Sequence, residues 1–201
     1  MRKRVKTVMQ SAVLLLASVA AQLGWAAAEV PAGTYVLENT HAYITFSYSH
    51  LGFSTPHVAF NEFEVTLDFD PEAPEQSKLS VSIAADSIDS RVDEFDEHLV
   101  GERFFDTANH PAITFEATGI DLGETNTATV SGDLTIKGQT HPVELAVVLN
   151  KAGMHPMLKK PVMGFNAQAT LSRSQWGLGY AVPMVGDEVR LYITVELQAA
   201  E

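Results

Sequence analysis

The sequence predicts a mainly β protein: a single antiparallel eight-stranded barrel with one short helix inserted between strands. Three observations predict it. Apolar and polar residues alternate with period two along most of the chain, which is the side-chain period of a strand with one dry face. Short connections built from Gly, Pro, Asn and Asp join successive alternating stretches, as between neighbouring antiparallel strands. One stretch alone breaks the rhythm and shows helical spacing. A chain made almost wholly of half-dry strands must stack or close to hide the dry face. Closure turns that face into an interior able to hold one greasy ligand.

The first 28 residues stand apart. Arg2, Lys3, Arg4 and Lys6 form a basic start, Val13 to Ala21 a short apolar run, and Ala26-Ala27-Ala28 a small-residue cleavage site. This is the layout of a secretory signal peptide, too short in its apolar part for a membrane span. Residues 29–201 then form one domain, the barrel.

Strands are expected at 33–38, 41–50, 59–70, 79–86, 112–120, 128–137, 143–150, 162–172 and 188–198. The clearest alternation is Val189, Leu191, Ile193, Val195 and Leu197 against Arg190, Tyr192, Thr194, Glu196 and Gln198. Further dry faces are Ala42, Ile44, Phe46 and Tyr48, then Phe63, Val65, Leu67 and Phe69, then Val143, Leu145, Val147 and Leu149. Lys137-Gly138-Gln139-Thr140 reads as a tight hairpin, with Gly138 free to take positive φ. The sequential order predicts a meander. The helix is expected after Ser90 as N-cap, with Asp93 and Glu94 in its first turn, Val92, Phe95, Leu99 and Val100 on one face, and Gly101 at its end. Phe104 and Phe105 follow at once, so helix and aromatic pair are placed to plug one end of a barrel.

Composition excludes several functions. Residues 1–28 hold four of the 13 basic residues and none of the 25 acidic ones, leaving 29–201 at a formal charge of −16. Such a surface repels nucleic acid and anionic headgroups. There is no cysteine, hence no disulfide, thiol nucleophile or Cys-based zinc site. The seven histidines (His41, His50, His57, His98, His110, His141 and His155) are scattered without metal-ligand spacing. Asp93, Asp96, Glu97, His98 and Asp106 read as helix capping and solvation rather than as an acid–base or metal centre. No nucleophile elbow or phosphate loop occurs. Nothing points to an enzyme, a cofactor or a metal. What remains is apolar: Phe46, Phe53, Phe60, Phe63, Phe115 and Phe165 as candidate lining aromatics, and Met154, Met157, Met163 and Met184 in or beside loops that would suit a mouth.

Four groups of segments resemble one family. The first is Tyr35-Val36-Leu37 with His41-Ala42-Tyr43-Ile44-Thr45-Phe46 and His50-Leu51-Gly52. The second is Ser87-Ile88-Asp89-Ser90 with Asp96-Glu97-His98-Leu99, Phe104-Phe105-Asp106 and Pro111-Ala112-Ile113-Thr114-Phe115. The third is Gly132-Asp133-Leu134-Thr135-Ile136-Lys137-Gly138 with His141-Pro142-Val143. The fourth is Ser172-Arg173-Ser174-Gln175-Trp176-Gly177-Leu178 with Val185-Gly186-Asp187-Glu188-Val189. In order and spacing these resemble the YceI family of small exported bacterial proteins. The resemblance implies a lipocalin-like barrel with a helix inserted midway, a polyisoprenoid or similar long-chain amphiphile bound inside, and a homodimer. Two departures stand out. Val58 and Ala59 replace a Gly usual before the Phe matching Phe60, and Glu64 and Val65 replace one usual after the Phe matching Phe63. Bulkier residues there are expected to narrow the barrel or change how the strand bends.

The resulting expectation is a periplasmic carrier or sequestering protein whose mechanism is burial of an isoprenoid or quinone-type cargo lipid. It would act without nucleic acid, catalysis or stable membrane insertion. Expected wall residues are Phe46, Tyr48, Phe63, Phe115, Leu134, Ile136, Leu145, Phe165 and Leu191. Leu99, Phe104 and Phe105 are expected to close one end, and Arg173 with Trp176 to meet a polar head at the other. Arg173 pinning a loop to an acidic neighbour is the plainer alternative for that residue. Rival readings are an enzyme acting on a lipid or small hydrophobic metabolite, with His50, or His98 and Asp96, as its polar groups, and a stress-related interaction protein with a filled barrel.

Overall fold

A computed structural model describes residues 29–201; the signal peptide expected over 1–28 lies outside them. In chain order the strands are β1 (Gly33–Leu37), β2 (Tyr43–His50), β3 (His57–Phe60), β4 (Phe63–Phe69), β5 (Lys78–Ala84), β6 (Ile88–Asp89), β7 (Ala112–Leu122), β8 (Thr127–Ile136), β9 (Gln139–Met154), β10 (Pro161–Ser172) and β11 (Val185–Ala199), with helix α1 (Asp93–Val100) between β6 and β7. Eight of them, β1-β4-β5-β7-β8-β9-β10-β11, form a ring that closes by pairing of β11 with β1. Every neighbouring pair is antiparallel. The expected eight-stranded barrel with one helix is present.

Its first strands do not run as a simple meander. β1 and β2 do not pair with each other; both pair with β11, end to end. Leu197 to Ala199 face β1, whereas Val189 to Thr194 face β2. β11 is 15 residues long, about 50 Å at ~3.3 Å per residue, so it has room for both partners. β3 and β6 extend the sheet beyond β2.

The single strand expected over 59–70 is two strands, for a reason visible in burial. Val58 and Phe60 are buried, and then Val65, Leu67 and Phe69. The inward set changes from even to odd positions, which no continuous period-two strand allows. The chain breaks at Asn61-Glu62, whose backbone groups bond instead to Ser87 and Ala84. Val58 and Ala59 stand where the resemblance led one to expect a Gly, yet the bend lies beyond Phe60, at Asn61-Glu62. β6 has two residues, too few to show a period. β9 overruns its expected end at 150 because the register shifts opposite Gly164/Phe165, so the inward position after Leu149 is Ala152.

The helix begins differently from expectation. Ser90 is not its cap; Val92 is, with no side-chain bond to the first turn. Asp96 instead reaches back, its carboxylate accepting the Ser90 N–H at 2.7 Å. This carboxylate shapes the turn before the helix. The β8–β9 hairpin is as read: Lys137 and Gly138 have φ of 51° and 70°, the two positive values of a turn that matches strand twist.

Apolar burial divides into two clusters along the barrel axis. At one end Tyr35, Val65, Leu67, Phe69, Leu149, Met163, Val195 and Leu197 fill the interior. Met163 is wholly buried, and the Tyr35 hydroxyl donates to the Pro31 carbonyl at 2.8 Å. The second cluster occupies the other end, around α1 and the segment after β10. Phe63, Leu79, Val81 and Ile193 pack against both.

Gly132 is set against the Phe115 ring: a Cβ would fall 2.6 Å from the Glu116 carbonyl oxygen and closer still to ring carbons. Gly132→Val is expected to destabilise the fold by about 2 kcal/mol or more through overpacking. Gly164→Ala, where a Cβ meets nothing within 4 Å, is expected to stay within about 0.5 kcal/mol of the parent in urea unfolding.

Candidate functional site

The half of the barrel away from the filled end is hollow. A cavity of about 590 Å³ runs from the level of Val81 and Ile193 to an open mouth. Its walls are the inward positions of eight strands: Ile44, Phe46 and Tyr48 on β2, Val58 and Phe60 on β3, Ile83 on β5, Ile113 and Phe115 on β7, Leu134 and Ile136 on β8, Val143 and Leu145 on β9, Leu171 on β10, and Val189 and Leu191 on β11. Period two places them there, since each is followed by an outward neighbour. Phe46 packs beside Tyr48 and Phe60 at ring distances of 6.5 and 5.9 Å. Phe60 meets the edge of Phe105 at 5.7 Å.

Two segments frame the mouth, and they stand at the same end. From α1 and the loop after it come Phe95, Leu99, Phe104 and Phe105; from the segment after β10 come Arg173, Trp176, Leu178, Tyr180 and Val185. Phe104 and Tyr180 touch edge to face at 5.6 Å, with the Arg103 guanidinium 4.7 Å over the Tyr180 ring. The expectation that these groups close opposite ends is therefore corrected. The far end is closed by the filled core instead, which makes the cavity blind.

The polar groups at the mouth are nearly all spent on structure. Trp176 is buried and donates its indole N–H to the Leu134 carbonyl at 3.1 Å. Arg173 donates Nε–H to the Gly186 carbonyl at 2.9 Å and Nη2–H to those of Tyr180 and Val185 at 3.1 and 3.0 Å, and Nη1–H to that of Leu178. Four of its five N–H donors thus staple the 178–186 segment to the barrel. Burial pushes its pKa below the usual guanidinium value, against the pull of Asp187 and Tyr48. Asp187 accepts the Ser174 N–H and hydroxyl at 2.8 Å each. Tyr48, whose hydroxyl bonds to no other described residue, has its pKa raised by burial, with Arg173 opposing.

Of the residues singled out from sequence, Phe46, Tyr48, Leu99, Phe104, Phe105, Phe115, Leu134, Ile136, Leu145, Arg173, Trp176 and Leu191 lie on the cavity surface. Phe63 and Phe165 do not. Phe63 sits where the two clusters meet, and Phe165 packs in the filled end. Both face inward as read; depth along the axis, which alternation does not encode, separates them from the cavity. Phe53 is 91% exposed on the β2–β3 hairpin. The methionines do not gather at a mouth: Met184 is beside it, Met163 is in the filled core, and Met154 and Met157 lie at the opposite end. Leu178, Tyr180 and Val185 were missed. Leu178 and Tyr180 belong to an irregular segment without a period, Val185 is the first residue of β11, and the Arg173 bonds hold the backbone of all three.

The residues weighed for catalysis do not converge. His98 is exposed on α1, and Asp96 is bonded to Ser90. Neither lies on the cavity surface, which His50 reaches. At the filled end Glu38, His41 and Glu196 bring ligand-type atoms within 4.8 Å of one another. Glu38 accepts from the Thr40 hydroxyl at 2.7 Å and bonds His41 Nδ1 at 2.8 Å. That bond, and the nearby Glu196, raise the His41 pKa. These contacts tie the β1–β2 turn together.

Lysine offers no planar fork to span four carbonyls. Arg173→Lys is expected to cost about 1–3 kcal/mol and to speed amide exchange across 178–186 at least tenfold, with exchange in β7 to β9 unchanged. Exchange in that segment that matched the parent would show the staple to be dispensable.

Known proteins agree with this architecture. A model of the YceI-like domain matches residues 35–197. A UPF0312 protein of Azotobacter vinelandii is 33% identical over 172 residues, covering 85% of this chain and 89% of its own. One from Pseudomonas putida is 35% identical over 141 residues, 70% of this chain and 73% of its own. Among solved structures, Burkholderia cenocepacia BcnA superposes with a TM-score of 0.72 at 22% identity, over 80% of this chain and 98% of that one. A Campylobacter jejuni YceI protein gives 0.69 at 25%, over 76% and 90%. A polyisoprenoid binding domain from Saccharophagus degradans, implicated in plant cell wall breakdown, gives 0.59 at 14%, over 83% and 98%. No described helix is long and apolar enough to cross a membrane. Matched along nearly all of residues 29–201, with the barrel and inserted helix in place, the chain belongs to the YceI-like domain family.

Proposed function

We propose that this is an exported binding protein that carries or sequesters a long-chain isoprenoid amphiphile, such as a quinone or polyprenyl lipid, in the periplasm. The observation that carries the reading is the blind, apolar, one-mouthed cavity of about 590 Å³. A filled barrel would leave no such space. An enzyme would need reacting groups gathered in it; of those weighed for that role His50 alone reaches the cavity surface, and His98 and Asp96 lie elsewhere. The Saccharophagus degradans relative in fold is described as binding polyisoprenoids, which supports the same cargo class here.

The chemistry is desolvation. Each methylene moved from water into the cavity contributes about 0.8 kcal/mol. If a methylene takes the ~30 Å³ that a water molecule occupies in the liquid, the cavity holds roughly 20 of them, the apolar part of a chain of about four isoprene units. Part of that gain offsets the loss of ligand freedom. The tail would enter first, towards Val81 and Ile193. The head would stay at the mouth beside the Tyr48 hydroxyl and the remaining Arg173 N–H. A longer chain would leave its excess outside, so affinity is expected to rise with chain length up to about 20 carbons and then level off. No cofactor enters this scheme; the lipid is cargo.

Phe46→Trp and Leu134→Trp place a larger ring inside the cavity without touching its mouth. Each is expected to weaken uptake of a 20-carbon prenyl alcohol at least tenfold, by displacing a volume worth more than the ~1.4 kcal/mol that a factor of ten represents. Circular dichroism should show the barrel retained. Parent-like uptake by both folded variants would place the cargo outside this cavity.

A further inference from the structure

We propose that the uncharged rim on one side of the cavity mouth is a membrane-docking surface, which settles among the headgroups of a zwitterionic bilayer while cargo passes. The proposal rests on the lipid-binding reading above and adds where the lipid is exchanged.

The rim is built from parts of two charge-free runs. Residues 39–61 and 174–186 contain no Asp, Glu, Lys or Arg, in a chain that is 19% charged. The first carries the β2–β3 hairpin and the second the stapled segment before β11. They meet at the mouth: the Leu51 N–H donates to the Met184 carbonyl at 3.2 Å, and a Cβ on Gly186 would come within 3.3 Å of the Ser49 Cβ. Their apolar side chains point to solvent, with Phe53 91% exposed, Met184 66%, Leu51 and Tyr180 50% each, and Val182 37%. Single exposed apolar residues are ordinary. Five on two joined, charge-free loops form the kind of patch that marks an interaction surface.

Three features favour a bilayer as the occupant. The rim is continuous with the cavity, since Tyr180 belongs to both. A cargo tail that crosses directly from bilayer to cavity never exposes its whole apolar length to water. The patch is also fixed: the Arg173 bonds hold the backbone carbonyls of Leu178, Tyr180, Val185 and Gly186, so little freedom is lost on docking. Charge then selects the lipid. Residues 29–201 carry −16, and Asp93 and Glu94 lie on the helix flank of the mouth, so anionic headgroups would repel the approach. A surface of aromatic and aliphatic side chains, with the Arg103 guanidinium stacked on Tyr180 as its adjoining charge, partitions into a headgroup layer chiefly by apolar burial, which salt does not screen.

The test uses the exported chain, vesicles of phosphatidylethanolamine and phosphatidylcholine, and a fluorescent 20-carbon prenyl lipid presented either in those vesicles or in detergent micelles. From vesicles, the transfer rate should rise in proportion to vesicle concentration and be unchanged between low and high salt. Phe53→Glu combined with Met184→Glu should slow it at least tenfold, while affinity for the same probe from micelles stays at the parent value. Phe53→Trp should show an emission blue shift with vesicles. A transfer rate that ignores both vesicle concentration and the double substitution would overturn the docking proposal while leaving cargo binding intact. A dimer in light scattering that the double substitution splits, without vesicle contact, would assign the rim to a second copy and overturn it too. No uptake even from micelles would remove the binding reading and this proposal with it.

Discussion

Along one edge β11 pairs with β10 through its whole ladder; along the other it meets β1 near its C-terminal end and β2 near its N-terminal end. The cavity exists because of that division. Where β1 takes part, the ring closes on eight strands and the inward residues of β1, β4, β9, β10 and β11 meet in a solid core. Where β2 takes over, β3 and β6 follow it, α1 and its aromatic pair are laid against the opening, and the packed walls leave a cavity between them. An eight-stranded barrel has an interior that side chains can just fill or that can hold one small ligand. This one does each in a different half.

Much of this was legible in the sequence because alternation is a direct readout of facing. β7 to β11 lie close to where the period places them, and nearly every inward residue named from the sequence is inward. Three kinds of information were absent. Depth along the axis has no period, so Phe63 and Phe165 could not be separated from Phe46 and Phe115. The phase slip at Asn61-Glu62 is written in the sequence as two runs of opposite parity, Val58-Phe60 and Val65-Leu67-Phe69, and a single strand drawn through both hides it. Irregular segments have no pattern at all. Only three-dimensional bonding shows that Arg173 spends itself on carbonyls and that Leu178, Tyr180 and Val185 frame the mouth.

Arg173 shows how a charged residue can serve an apolar site. Its guanidinium is partly buried beside a greasy cavity, a costly placement unless the donors are satisfied. Four carbonyls satisfy them. The result is an ordered rim on a segment that has no regular secondary structure to order it. The lipid-binding reading therefore depends on polar bonds at the edge as much as on apolar residues in the wall: the wall supplies affinity and the staple supplies a mouth of defined shape.

The most direct test of the central claim is native mass spectrometry on protein purified from its own host, followed by solvent extraction and identification of whatever is released. The account predicts an isoprenoid or quinone-type lipid at one molecule per chain. A protein that emerges empty, and stays empty after exposure to quinones and prenyl alcohols, would contradict it.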